Sequence, residues 1–166
     1  TNGTYEVKPS SQYCSELRGI NIDMGNNPSR SAVAMVGAQY WTIEDVHIYG
    51  AAFDHGLDGM PGGGGSCSNV KITGGQVGVK LQWRPVTQLT GLQLYGQSDC
   101  GIWAGTSPIV VVVGFNIVGP NKPTPGYAAV KNFVSLVMVD GMIQVTNQTA
   151  GVGISNNSDK VYFQNV

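Results

Sequence analysis

The sequence predicts an all-β protein, a right-handed single-stranded parallel β-helix, and three observations support that fold class. First, good helix formers are scarce, since Glu occurs three times in 166 residues whereas Gly occurs 24 times and Val 21 times. Second, a short strand pattern recurs about every 24 residues. Third, glycine recurs at a fixed distance after that pattern. A solenoid of stacked coils that share one interior accounts for all three.

Each repeat begins with a strand in which two apolar residues flank one polar residue. This alternation is typical of a strand with one buried and one solvated face. We define the first apolar residue as the anchor of its coil, and successive anchors are 26, 24, 22, 23, 28 and 23 residues apart. We expect the anchors to form one vertical stack in the interior: Ile20, Val46, Val70, Leu92, Phe115, Ile143 and Val166.

Two further columns follow the anchors. Four residues after the anchor, residues that tolerate a positive φ predict a tight bend in every coil. In the first coil Met24 holds this place, with Gly25 one step later, and the later coils have Gly50, Gly74, Gly96, Gly119 and Asn147. The residue directly after the anchor is polar throughout: Asn21, His47, Lys71, Gln93, Asn116 and Gln144.

A second strand is expected after each bend. The predicted second strands are residues 32–36, 56–58, 78–81, 101–104, 129–131 and 152–154. Together with the anchors they predict about six to seven coils. Residues 1–166 are interpreted as part of one β-helix domain that is truncated at both ends, with residues 1–16 a partial coil or an N-terminal cap. Because uncapped coils expose apolar surface, we expect contacts from flanking coils of the same chain or from neighbouring subunits.

Charge and composition exclude several classes of partner. Nine basic residues stand against ten acidic ones, and only 11% of residues are charged. Nucleic-acid binding needs a basic face, so no nucleic-acid partner is expected. The longest apolar run, residues 109–113, is too short to span a membrane.

The cysteines give no sign of a metal site. Cys14, Cys67 and Cys100 contain no C-x-x-C pair, so no metal site is predicted, and no cofactor is expected either. One disulfide with one free thiol, or three buried thiols, are both compatible with the sequence. Cysteine usage therefore leaves the redox compartment open.

Three segments carry a resemblance to a known family: AVAMVGAQYWTIEDVHI (residues 32–48), HGLDGMPGGGGSCSNVKITGGQVGVKL (55–81) and VTQLTGLQLYGQSDCGIW (86–103). Residues 20–119 resemble the pectate-lyase-like β-helix domain of glycoside hydrolase family 55. Those proteins are β-1,3-glucan hydrolases with two β-helices in tandem, and the similarity is to the first, non-catalytic helix. The resemblance implies a supporting or glycan-binding role and provides no catalytic carboxylate to transfer onto this chain.

The densest polar cluster is Asp54-His55 with Asp58 three residues later. A pair of carboxylates can serve acid–base hydrolysis, which makes Asp54 and Asp58 the catalytic candidates. The alternative is that Asp54 caps a bend and His55 is a solvated turn residue. We favour that alternative and expect the segment by itself to be non-catalytic.

Outward columns on the two strands suggest a surface for sugars, because the apolar face of a sugar ring stacks on an aromatic side chain. The expected column on the second strand is Ala34, Asp58, Lys80, Trp103 and Lys131, and the column on the first strand is Asp23, Tyr49, Thr73 and Tyr95. The predicted ligand-binding residues are Asp58, Lys80, Trp103, Tyr49 and Tyr95. Glycosylation sequons stand at Asn2, Asn147 and Asn156.

Two hypotheses of function follow. The first is a segment of a secreted or cell-wall carbohydrate-active protein whose partner is a polysaccharide or glycan surface. The second is a structural or adhesive extracellular solenoid without catalysis. Low charge and a long repetitive side fit both.

Overall fold

The computed structural model describes residues 16–34, 42–59, 65–82, 87–105, 109–121, 124–145, 151–158 and 160–166. Within these ranges the regular structure is β-strand throughout, in accord with the predicted fold class. In chain order the strands are β1 (Glu16–Arg18), β2 (Asn21–Asp23), β3 (Asn26–Asn27), β4 (Val33–Ala34), β5 (Thr42–Tyr49), β6 (Ala52–Phe53), β7 (His55–Asp58), β8 (Ser66–Thr73), β9 (Val77–Leu81), β10 (Thr87–Thr90), β11 (Gln93–Tyr95), β12 (Cys100–Ala104), β13 (Ile109–Val118), β14 (Tyr127–Asn132), β15 (Ser135–Gln144), β16 (Gly151–Asn156) and β17 (Val161–Gln164).

The strands stack as a parallel β-solenoid, so the two main sheets each contain strands from successive turns. The first sheet runs β1-β5-β8-β10-β13-β15-β17, with β2 and β11 as additional members. The second runs β16-β14-β12-β9-β7-β4, and β3 pairs with β6 in a third. The solenoid has about five turns rather than the six to seven expected. The second sheet has six strands, and the chain makes one full turn between each strand and the next, which gives five turns. The expectation was higher because it counted every anchor as a separate coil.

Register confirms the predicted second strands and both outward columns. Ala34, Asp58, Lys80, Trp103 and Lys131 are consecutive partners across the second sheet. Asp23, Tyr49, Thr73 and Tyr95 are consecutive partners across the first. Residues 35 and 36, at the end of the first predicted second strand, lie outside the described residues. Because the parallel strands pair in register, residues that are one repeat apart in the sequence are direct neighbours across the sheet.

Five anchors share one level of the first sheet, and one expected anchor is wrong. The strand pairing of the flanking residues places five anchors in one column: Ile20, Val46, Val70, Leu92 and Phe115. Ile20 is half-buried whereas the other four are buried. The partner of Phe115 is Gly141, and Ile143 pairs instead with Ile117.

The size of Phe115 explains the shift to Gly141. A Cβ built on Gly141 would fall on the Phe115 ring, so only glycine leaves room for that ring in the next turn. A shift of two residues keeps the same face inward, and Ile143 therefore still packs on the core. The neighbouring columns shift too, so that Met142 rather than Gln144 follows Asn116. Asn147 lies outside the described residues, and Val166 is half exposed.

The repeated left-handed bend lies directly before the anchor, not four residues after it. A positive φ of 51–65° recurs in seven stacked residues: Gly19, Asp45, Asn69, Gly91, Gly114, Asp140 and Asn165. Gly, Asn and Asp are the residues that adopt this conformation at low cost. In the expected column Gly74 and Gly96 have a positive φ, but Gly50 and Gly119 do not. Gly50 is needed for space, because an added Cβ would lie 3.0 Å from the Met24 Cβ.

A column of small residues lines the inner side of the second sheet. Gly56, Gly78, Gly101 and Ala129 occupy this level, and Gly153 continues it. A Cβ on Gly101 would lie 2.8 Å from both the Ala129 carbonyl oxygen and the Ile117 Cγ2. These glycines let the buried side chains of the first sheet touch the backbone of the second.

We expect Gly101→Ala to lower the free energy of unfolding by about 1–3 kcal/mol, because the methyl group overpacks this contact. The matched control is Gly153→Ala in the same column, where the added Cβ would meet Ile143 at an ordinary 3.7 Å. Urea unfolding of both variants measures the difference. Equal effects of the two substitutions would contradict the proposed close packing.

Candidate functional site

The outer face of the second sheet gathers most of the expected site residues. Asp58, Lys80, Trp103 and Lys131 lie on four successive turns and are all half-buried. Lys80 Nζ lies 3.9 Å from Asp58 Oδ1, and Lys131 Nζ lies 2.6 Å from Asp99 Oδ1. Each lysine of this column therefore has a carboxylate partner, and the local charge is close to balanced.

His55 joins Asp54 and Asp58 into one cluster. His55 is buried, with only 8% of the residue exposed, so it is not the solvated turn residue of the alternative interpretation. Its Nδ1 lies 3.1 Å from Asp54 Oδ2 and 3.9 Å from Asp58 Oδ2. Ser31, one turn below, places its Oγ 3.2 Å from the same Nδ1 and 3.4 Å from Asp58 Oδ2. Ser31 is 24 residues before His55, which is the repeat spacing that could have identified it.

These groups do not form a nucleophilic triad. In a Ser-His-Asp triad the serine and the carboxylate contact opposite nitrogens of the imidazole. Here Ser31 and both carboxylates meet at Nδ1 alone. Burial is the main cause that lowers the pKa of His55 below its ordinary value, with Lys80 adding to it and Asp54 and Asp58 opposing it. Through Ser31, the contacts connect the residues directly before β4 with His55 and Asp58 of β7 in the next turn.

The distance between the two catalytic candidates is short. Since both reach one His55 nitrogen, Asp54 Oδ2 and Asp58 Oδ2 are at most the sum of those two distances, 7.0 Å, apart. Paired carboxyls of glycosidases are roughly 5–9.5 Å apart, so separation alone permits hydrolysis. However, both carboxylates converge on His55 Nδ1, and Asp58 also lies 3.4 Å from Ser31 Oγ and 3.9 Å from Lys80 Nζ. The two carboxylates therefore belong to one local cluster with a shared histidine.

Trp103 packs against Gly105 on the outer face of the second sheet. A Cβ added at Gly105 would lie 2.0 Å from two atoms of the six-membered ring of Trp103. The Phe133 ring centre lies 5.9 Å from the Trp103 ring at 48°, and Phe133 is 46% exposed. Lys80 Nζ lies 5.9 Å from the Trp103 ring centre. Phe133 and Asp99 were not among the expected site residues, because neither lies in the outward column read from the sequence.

The first sheet presents a second polar and aromatic face. Tyr49 is 36% exposed and its ring centre lies 5.1 Å from that of His47. Two turns away, Tyr95 Oη donates to Gln93 Oε1 at 3.3 Å and accepts from Asn116 Nδ2 at 3.2 Å. Burial, and secondarily Lys71, lowers the pKa of His47 below its ordinary value. The structure does not bring Tyr49 and Tyr95 together with Trp103, because they belong to different sheets.

An asparagine ladder closes the second strands of the last two turns. Asn132 Nδ2 donates to Val134 O at 2.8 Å and to Asn156 Oδ1 at 2.7 Å. Asn156 repeats the turn by donating to Ser158 O at 2.7 Å. The Asn156 sequon is thus exposed, but its amide is hydrogen-bonded on both atoms. The sequons at Asn2 and Asn147 lie outside the described residues.

Comparison with known proteins found no matching family model, no matching curated protein and no matching solved structure. The structure supports the coarser part of the resemblance, a parallel β-solenoid consistent with the pectate-lyase-like fold, and the likeness to glycoside hydrolase family 55 stays a prediction. Among the described residues, no helix has the length and apolar character that crossing a membrane requires. Over the same ranges, no three Cys, His, Asp or Glu side chains are grouped so as to hold a metal ion.

Two cysteines are buried free thiols, and Cys14 lies outside the described residues. Burial raises the pKa of Cys67 to about 12. Burial, followed by the charge of Asp99, raises the pKa of Cys100 to about 12, against the opposing effect of Lys131. The thiolate is the reactive form, so both groups are protected in the folded protein.

We expect neither Cys67 nor Cys100 to react with a maleimide at pH 8 in the folded protein, and both to react in 6 M guanidinium chloride. Mass spectrometry of the digested protein assigns the label to each cysteine separately. The denatured sample is the control for reagent access. Rapid labelling of either residue under native conditions would contradict the described burial.

Proposed function

We propose that this chain is a glycan-binding β-solenoid segment of a secreted carbohydrate-active protein, with the outer face of the second sheet as the binding surface. The observation that carries the proposal is the half-buried Trp103 ring on the outer face, packed against Gly105 with Phe133 beside it. Sugar rings present an apolar C–H face that packs on such an aromatic surface. Polar groups then have to meet the hydroxyl groups at the rim of the sugar.

Those polar groups lie on the neighbouring turns. Asp58 and Lys80 adjoin Trp103 on one side, and Lys131 and Asp99 on the other. Carboxylates accept and ammonium groups donate, so each ion pair can bond to a hydroxyl group in either role. Lys80 lies at the outer limit of a cation–π distance and has a flexible stem, which lets it move as a sugar stacks on the ring. The surface therefore offers an aromatic ring to the apolar face of a sugar and charged groups to its hydroxyl groups.

We expect Trp103→Ala to weaken glycan binding about tenfold or more, since the stacking surface is lost. The measurement is isothermal titration with oligosaccharides selected on a glycan array. Tyr162→Ala is the matched control, because Tyr162 is an exposed aromatic residue, 54% accessible, on the first sheet. An absence of glycan binding, or equal losses in both variants, would contradict the proposal and favour a structural or adhesive solenoid.

We expect no turnover of β-1,3-glucan, pectin or alginate by this segment, because Asp54 and Asp58 converge on one nitrogen of His55 instead of lying on two sides of a bound sugar. Reducing-end release measures hydrolysis, and absorbance of unsaturated products measures elimination. Asp54→Asn with Asp58→Asn provides the matched inactive variant. Turnover that disappears in this double variant would assign catalysis to the cluster.

A further inference from the structure

Two outward columns of the first sheet change from polar to apolar residues along the solenoid. On β1, β5, β8 and β10 both columns are polar, with Glu16, Thr42, Ser66 and Gln88 in one and Arg18, Glu44, Ser68 and Thr90 in the other. On β13 and β15 the same columns consist of four valines: Val111 with Val137, and Val113 with Val139. A sheet with one solvated face normally has polar residues in its outward positions, so the valines depart from the pattern of this face.

These valines lie at the centre of an apolar area on β13, β15 and β17. We call it the valine patch and define it by six residues: Ile109, Val111, Val113, Val137, Val139 and Tyr162. Ile109 and Tyr162 are exposed, and the four valines are half-buried. A groove of about 420 Å³ adjoins the patch, and Ile109, Val137, Tyr162 and Lys160 are among the residues that line it. An exposed apolar area of this kind is typical of a protein interaction site.

One charged residue lies on each side of the valine patch. Asp140 directly follows Val139 and is the only charged residue in the strands β13, β15 and β17. Lys160 directly precedes β17 and lies next to Ser135, because the residues that follow them are strand partners. Ser135 and Asp140 are five residues apart on β15, so the two charges are separated by about 15 Å along the strands. They are too far apart to pair within one chain.

We propose that the valine patch binds the same patch of a second copy of this chain, across a twofold axis that passes between Lys160 and Asp140. A twofold contact brings identical surfaces together, and the opposite charges on the two sides then place each Lys160 against the partner's Asp140. This charge complementarity favours a second copy as the partner. The patch lies on the first sheet and Trp103 on the second, so the proposal does not depend on glycan binding.

Sedimentation equilibrium over a wide range of protein concentration tests the proposal. The patch is smaller than a standard interface, so we expect a weak dimer with a micromolar dissociation constant. We expect Val137→Lys to raise that constant about tenfold or more, because it places a charge in the apolar contact. Ser66→Lys is the matched control, since Ser66 lies in the same column on a polar turn, and it must leave association unchanged. Circular dichroism verifies the fold of each variant, and Val137→Thr with Val139→Thr replaces Val137→Lys if that variant does not fold, since threonine resembles valine in shape and suits a strand.

A double-mutant cycle identifies the second copy as the partner. Lys160→Gln and Asp140→Asn each remove one charge, and asparagine adopts the left-handed conformation of position 140, as Asn69 and Asn165 do. Because the two charges cannot pair within one chain, coupling between these substitutions in the dissociation constant reports a pair across the dimer. We expect each single variant to weaken the dimer several-fold and the double variant to be no weaker than either. The proposal is overturned if the chain is monomeric at every concentration, if Ser66→Lys weakens association as much as Val137→Lys, or if the two charge substitutions have additive effects.

Discussion

In-register stacking of parallel strands is the constraint on which the rest of this structure depends. Each turn must repeat the backbone path of the turn below it, including the left-handed residue directly before the anchor column. Seven stacked residues meet that requirement, from Gly19 to Asn165, and all are Gly, Asn or Asp. Where Asn stacks on Asp, the side chains also bond: Asn69 donates to Asp45, and Asn165 donates to Asp140 at 2.8 Å. The conformation that turns the chain thus also provides exposed hydrogen bonds between turns.

The left-handed residue also determines which side chains are buried. In β5, Ile43 and Val46 are buried while Glu44 and Asp45 between them face outward, so strict alternation is broken at the bend. Alternation then resumes with Ile48 inward and His47 and Tyr49 outward. Because every turn breaks at the same level, the interior remains continuous through the stack. The outward residues consequently form columns, in which the side chains of successive turns lie next to one another.

Two such faces result, and the pairing of charges separates them. On the second sheet Lys80 and Lys131 are each matched by a carboxylate, and Trp103 lies between them with Phe133 at its side. On the first sheet Lys71 stands among amides, hydroxyls and two tyrosines. The proposal of glycan binding rests on the second-sheet face, since paired charges beside an aromatic ring suit a ligand with hydroxyl groups. The two faces differ in their side chains, although the backbone repeats the same path in both sheets from turn to turn.

The sequence alone determined the fold class, the second strands and both outward columns, because burial alternates with period two and the turns repeat at nearly constant spacing. It could not determine the anchor of the last long turn: Ile143 and Gly141 face the same way, and only the bulk of Phe115 in the adjacent turn selects Gly141. Nor could it show that Phe133 lies beside Trp103, since Phe133 lies outside the strand columns, whereas the 24 residues between Ser31 and His55 match the repeat. Periodicity along the chain specifies which face a residue occupies. Only packing between turns decides which side chain meets which, because that depends on the volume and reach of residues about 24 positions away.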